Sequence, residues 1–217
     1  MFFQNRIDAG KKLAEAFLKS GKDFSGFEVV GIARGGVIVA AEIARELNLP
    51  LHSICVKEMQ TEKKSVVVGS FGNAVIFMGD NRKNQRFVSD VSKLQNKNLL
   101  SLMREIRERN TLYNDGEVFE PGKKIILCDD GLVSGNSAFS AISLLRCNGV
   151  EEITLGIPVV PPWFIKQKLD FEVITWRVST FNFTTGYFYF SFPDTSNKEV
   201  INAVKENKQG TRSKQHK

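Results

Sequence analysis

The chain has 217 residues, enough to bury one full α/β core and short for two independent ones. Hydrophobic residues make up 42% and charged residues 25%, ordinary globular values that exclude a disordered or fibrous polypeptide. The net charge of +6 raises nucleic acid as a partner, but Lys205, Lys208, Arg212, Lys214 and Lys217 against Glu206 place +4 of it at the end, which reads as a solvated, disordered basic tail over residues 204–217.

In chain order, the first periodic segment covers residues 6–18. Ala9, Leu13, Ala16 and Phe17 fall on one helical face and Lys11, Lys12, Glu15 and Lys19 on the other, so its expected role is packing. The residues before it lack the apolar stretch of a secretory signal, and no apolar run approaches the ~20 residues of a membrane span. A cytoplasmic protein is expected. Residues 28–33 form a nearly all-apolar run of the kind buried in parallel sheets, and Arg34-Gly35-Gly36 ends it. A helix over residues 37–47 follows, Pro50 stops it, and residues 51–56 make the next strand, completing one βαβ unit.

The charged residues 57–64 read as a mobile loop leading into a hairpin of two strands, residues 65–71 and 73–78, split at Gly72. Residues 84–110 carry Leu94, Leu99, Leu102, Met103 and Ile106 among many charges, which predicts an amphipathic helix over the sheet. Buried strands are expected at residues 124–128, 153–157 and 172–176, with a helix over residues 137–147 capped by Gly149. This alternation predicts a mainly parallel central sheet with helices on both faces, plus a small hairpin or hood, in one domain over residues 1–203.

Cys55, Cys128 and Cys147 are odd in number and far apart, so they read as small buried hydrophobes and not as a disulfide or zinc framework. With only His52 and His216, a histidine-rich metal site is excluded and a Ser-His-Asp triad would have to rest on His52.

The stretch from Asp129 to Ser137 joins a buried strand to a helix, at the sheet edge where open α/β folds bind ligands. Ser134, Gly135, Asn136 and Ser137 place small or hydroxyl groups at the helix start, where backbone N–H groups and the dipole attract phosphate. There is no GxxxxGK pattern and hence no Walker lysine. Asp129 and Asp130 would repel a phosphate unless they face hydroxyls or a metal, and a sugar phosphate meets both demands. The simpler alternative, an Asx turn before a capped helix, accounts for Asp130 and Ser134 but not for the whole pattern.

A buried strand, two acids and a small loop closing on Ser-Gly-Asn-Ser resemble the phosphoribosyl pyrophosphate (PRPP) signature of type I phosphoribosyltransferases. The likeness to a poorly characterised bacterial subgroup of that family extends through residues 3–18, the Ile32-Ala33-Arg34-Gly35-Gly36-Val37 turn, residues 158–163, and Tyr187-Phe188-Tyr189-Phe190-Ser191-Phe192 with Val200. The resemblance implies that Asp129 and Asp130 bind the ribose hydroxyls. It implies that Leu132, Val133, Ser134, Gly135, Asn136 and Ser137 hold the 5′-phosphate. Ala33, Arg34, Gly35 and Gly36 would hold the pyrophosphate, with Lys57 as a helper and Mg²⁺ arriving with PRPP. Enzymes of the family that act on 6-oxopurines commonly carry an acid where Val133 stands, and the subgroup usually has Pro and a carboxylate where this chain has Glu62-Lys63-Lys64-Ser65.

The function expected is Mg²⁺-dependent transfer of a phosphoribosyl group to a nitrogen heterocycle with release of pyrophosphate. The competing expectation is a non-catalytic PRPP sensor with an RNA-binding surface. The acceptor, self-association into a homodimer, and stacking against packing for the aromatics of residues 181–192 all stay open at this point.

Overall fold

A computed structural model describes residues 2–60, 65–71, 74–79, 85–87, 97–114, 122–180 and 184–215. Strand β1 (Phe27–Ala33) is apolar at nearly every position because both of its faces are covered. Val29 points into a core layer with α1 (Arg6–Lys19) and α2 (Gly35–Leu47), while Val30 and Ile32 point into the opposite layer. The same period of two divides β6 (Lys124–Cys128): Ile126 and Cys128 face the first layer, and Ile125 and Leu127 the second. The first layer also takes α3 (Lys97–Tyr113) and α6 (Asn197–Gln215). The second is closed by α4 (Asn136–Cys147) and α5 (Pro162–Ile165). Each fully buried Ile or Leu in these layers contributes ~2 kcal/mol over its exposed state.

Five strands run parallel in the order β2 (Leu51–Gln60), β1, β6, β7 (Ile153–Val160), β8 (Glu172–Val178). From β1 the chain winds outward to β2, and from β6 it winds the other way to β7. The boundary between β1 and β6 is therefore the topological switch point, where the loops at the carboxyl edge part and leave a crevice. The register Gly31↔Cys128 sets the end of β6 beside β1, two residues before β1 ends at Ala33.

Strand β2 outruns its parallel neighbour. From Cys55 to Gln60 it pairs antiparallel with β3 (Ser65–Phe71), which continues the sheet through β4 (Ala74–Gly79) and β5 (Gln85–Phe87). The expected hairpin is present, but residues 57–60 are strand and not loop. The turn at Gly72 and residues 61–64 lie outside the described residues. The predicted helix over residues 84–110 is α3 alone among the described residues, since residues 85–87 are strand and residues 88–96 lie outside the description.

The segment expected as a disordered tail from residue 204 is helical through Gln215. Val200 and Val204, one turn apart, are fully buried, and the Asn207 amide accepts from Leu51 N–H at 2.9 Å and donates to the Leu49 carbonyl at 3.1 Å. Cys55 and Cys128 are buried as expected, whereas Cys147 is exposed. No helix among the described residues is long and apolar enough to cross a membrane.

Candidate active site

Two loops meet at the switch point. After β1, the Ala33–Arg34 peptide is cis and Gly35-Gly36 open α2. After β6 come Asp129 and Asp130, then a short loop to α4. They enclose a cavity of ≈ 320 Å³ whose lining includes Ala33, Arg34, Gly35, Asp129, Asp130, the stretch from Leu132 to Ser137, and Thr185.

The approach of the loops leaves no room for side chains at the glycines. A Cβ on Gly36 would stand 2.8 Å from Asp129 Cα and from the Cys128 carbonyl oxygen. A Cβ on Gly35 would overlap Asp130 Oδ2 and stand 2.7 Å from Arg6 Nε. Gly36 thus lies behind the cavity as a packing contact, while Gly35 lines it. Gly135, at φ +76°, turns the chain into α4 in a conformation that L side chains resist. Ser134 Oγ accepts from Asn136 N–H at 3.3 Å, and the small residues from Ser134 to Ser137 bring the start of α4 to the cavity lining.

The two acids stand in different surroundings. Asp129 Oδ1 accepts the Asp130 N–H at 2.9 Å, and burial of its carboxyl, joined by the charge of Asp130, pushes its pKa well above the usual carboxylate range. Asp130 Oδ2 accepts from Arg6 Nε at 2.7 Å, with 11% of the Arg6 side chain and 16% of the Asp130 side chain exposed. The Arg6 guanidinium lies 3.7 Å from the centroid of the Phe192 ring and donates through Nη1 to the Pro193 carbonyl at 2.6 Å. Tyr189 donates to the Asp130 carbonyl at 2.5 Å, and burial pushes its phenol strongly upward.

Of the residues singled out in sequence, Ala33, Arg34, Gly35, Asp129, Asp130, Leu132, Val133, Ser134, Gly135, Asn136 and Ser137 come together here. Arg34 is exposed at the rim, and Val133 is 53% exposed. Lys57 is not among the lining residues. Its ammonium lies 3.5 Å from Glu105 on α3, because the extension of β2 carries it toward that helix. Sequence reasoning missed Arg6 and Thr185, and it named Tyr189 only among aromatics left open between stacking and packing. Arg6 opens a helix read as packing only, and nothing local to any of the three signals the loop that it reaches. Among the described residues no cluster of three or more His, Cys, Asp or Glu could hold a metal.

The aromatic segment at residues 187–192 is partly core. Tyr189 packs with Phe3 and Val159, and Trp176, Phe188 and Phe192 lean on that cluster, while Phe190 is 73% exposed. A second cavity of ≈ 170 Å³ opens beyond it, between Phe2, Tyr187 and the ends of β7 and β8.

Two Mycobacterium tuberculosis proteins, from two strains and provisionally named phosphoribosyl transferases, are 28% identical over 208 residues. The match takes in 92% of this chain and 45% of each relative, so the chain spans about half of their length. A crystal structure of a Thermus thermophilus protein superposes with a TM-score of 0.71 at 24% identity, covering 95% of this chain and 99% of that one, which shows a shared fold. The family model for the phosphoribosyl transferase domain matches residues 3–184, a span that contains both cavity loops, and the chain belongs to that family.

Proposed function

We propose that the chain transfers the phosphoribosyl group of PRPP to a nitrogen of a small heterocyclic acceptor and releases pyrophosphate. The observation that carries this reading is the meeting, at the switch point, of two acids and two small-residue turns around one cavity of ≈ 320 Å³. Asp129 and Asp130 accept hydrogen bonds from the ribose hydroxyls. The stretch from Leu132 to Ser137 holds the 5′-phosphate through the start of α4, and the Ala33–Gly36 turn with Arg34 holds the pyrophosphate. Lys57, paired with Glu105 at 3.5 Å in an exposed contact outside the cavity lining, is a secondary helper to the pyrophosphate.

The residues present fit Mg²⁺ as a shared ligand. Asp129 and Asp130 bring two carboxylates to the cavity, and Mg²⁺ is commonly held by one or two carboxylates together with substrate phosphates. Bound so, the ion would neutralise charge on the departing pyrophosphate. In the transfer, the bond from C1 to the pyrophosphate oxygen breaks with its electron pair leaving on oxygen. The acceptor nitrogen supplies the pair for the new C–N bond on the opposite face and gives up its proton to water. The work of the chain is placement and electrostatics: the acid pair faces the positive charge developing on the ribose, and Arg34 faces the pyrophosphate. No side-chain nucleophile is required.

The test is pyrophosphate release from PRPP with Mg²⁺ and a panel of nitrogen heterocycles. Release that needs both PRPP and one acceptor is expected. Tight PRPP binding without release would favour the sensor reading, and neither binding nor release would contradict both.

A further inference from the structure

We propose that Arg6 is a positioning residue for the substrate-facing carboxylate of Asp130, held in place by the aromatic segment that follows β8; the inference rests on the ribose role assigned to that acid. Four contacts from distant parts of the chain converge on one side chain. Arg6 Nε binds Asp130 Oδ2 at 2.7 Å, the guanidinium face lies 3.7 Å from the Phe192 centroid, and Nη1 binds the Pro193 carbonyl at 2.6 Å. A Cβ on Gly35 would come within 2.7 Å of Arg6 Nε, so the adjoining turn also abuts it. With 11% of its side chain exposed, Arg6 is no solvated surface cation.

A guanidinium fixed on its face, on one Nη and on Nε has no rotamer left to choose, and the carboxylate that it holds is fixed with it. Tyr189 fixes the other end of the same residue by donating to the Asp130 carbonyl, and the bridge between Phe3 and Tyr189 ties that contact to the start of α1. Asp130 is thereby clamped at main chain and side chain, and one Oδ2 lone-pair direction is taken by Arg6. Its carboxyl also meets that of Asp129, and both residues line the cavity. Among the described residues no cation stands in hydrogen-bond contact with Asp129, whose Oδ1 accepts the Asp130 N–H. The two neighbouring acids are therefore unequal: Asp130 is held in one orientation before substrate arrives, which lowers the ordering needed on binding.

The experiment is calorimetry of Mg²⁺–PRPP and, separately, of Mg²⁺–pyrophosphate with the full chain and four variants: Arg6→Met, Arg6→Lys, Asp130→Asn, and Arg6→Met with Asp130→Asn. Arg6→Met is expected to weaken PRPP about tenfold or more, while pyrophosphate, which has no ribose, changes by less than about twofold. In the Asp130→Asn background, Arg6→Met should weaken PRPP no further, because both changes break one contact. Arg6→Lys keeps the charge and the fold but cannot span Asp130, Phe192 and Pro193 together, so it recovers only part of the loss. Additive losses, or equal losses for PRPP and pyrophosphate in Arg6→Lys, overturn the positioning role alone. A parent chain that binds no PRPP removes instead the reading on which it rests.

Discussion

The phenol of Tyr189 donates a 2.5 Å hydrogen bond to the backbone carbonyl of Asp130, so an aromatic segment near the end of the chain holds up a loop 59 residues earlier. A buried neutral hydrogen bond of this kind is worth about 1 kcal/mol, and more when its carbonyl is left without a partner. Tyr189→Phe is therefore expected to lower the melting temperature by ~2–4 °C and to weaken PRPP binding. Differential scanning calorimetry and PRPP titration check the two halves. An unchanged melting point would show that the bond contributes nothing.

The pKa of Asp129 is raised by burial and by the charge of Asp130, and this fixes the sign of a pH effect. Above the usual carboxylate pKa of ~3.9 the unfolded chain releases a proton that the folded chain keeps. Stability from this group thus falls as pH rises from that value toward the folded pKa. Asp129→Asn removes the effect while retaining an acceptor for the Asp130 N–H. The variant is expected to melt above the parent at pH 7 and level with it near pH ~3.5, below the unfolded value. A variant that melts lower at pH 7 contradicts the assignment.

Gly36→Ala puts a methyl group 2.8 Å from Asp129 Cα and from the Cys128 carbonyl oxygen, and backbone cannot step aside as a flexible side chain can. The expected loss is ~1–3 kcal/mol of stability with PRPP affinity reduced as the acid loop is pushed out. Urea unfolding measures the first and calorimetry the second. Equal affinity in parent and variant would mean that the loop does not depend on this contact.

The basic end of the chain yields a prediction opposite to that of a solvated tail. Val204 is fully buried against α2 and its neighbours, so Val204→Ala should cost about 2 kcal/mol in urea unfolding. A cost near zero would return the segment to solvent.

What could be read from sequence was local. The acid loop and the Arg34 turn each announce themselves within a few residues: a buried strand, then charge or glycine, then a helix. Parallel pairing of β1 with β6 then brings together residues that the chain separates. Arg6, Tyr189 and Thr185 were illegible because each reaches the site through tertiary packing alone. Two signals were present and outweighed. Val200 and Val204 stand at helical spacing among the charges of the last segment, and residues 57–60 continue β2 into its antiparallel partner. In both places charge suggested solvent, whereas one buried stripe is enough to fix a helix and one partner strand enough to order a charged ribbon.

Val133 bears on the choice of acceptor. It is half exposed on the cavity lining and has no group to take the proton that the acceptor nitrogen gives up. A positioned general base typically contributes about a hundredfold to ten-thousandfold, so hypoxanthine and guanine should be turned over slowly. Val133→Asp should raise that rate if the position faces the acceptor. Fast hypoxanthine turnover by the parent would show that another group takes the proton.

The most direct test of the central claim is a calorimetric titration of PRPP with Mg²⁺ into the parent chain and into the Asp129→Asn, Asp130→Asn double variant. The ribose assignment predicts measurable binding by the parent and a loss of about a hundredfold or more in the variant, with the fold retained. Equal affinity in both proteins, or no binding by the parent, would contradict it.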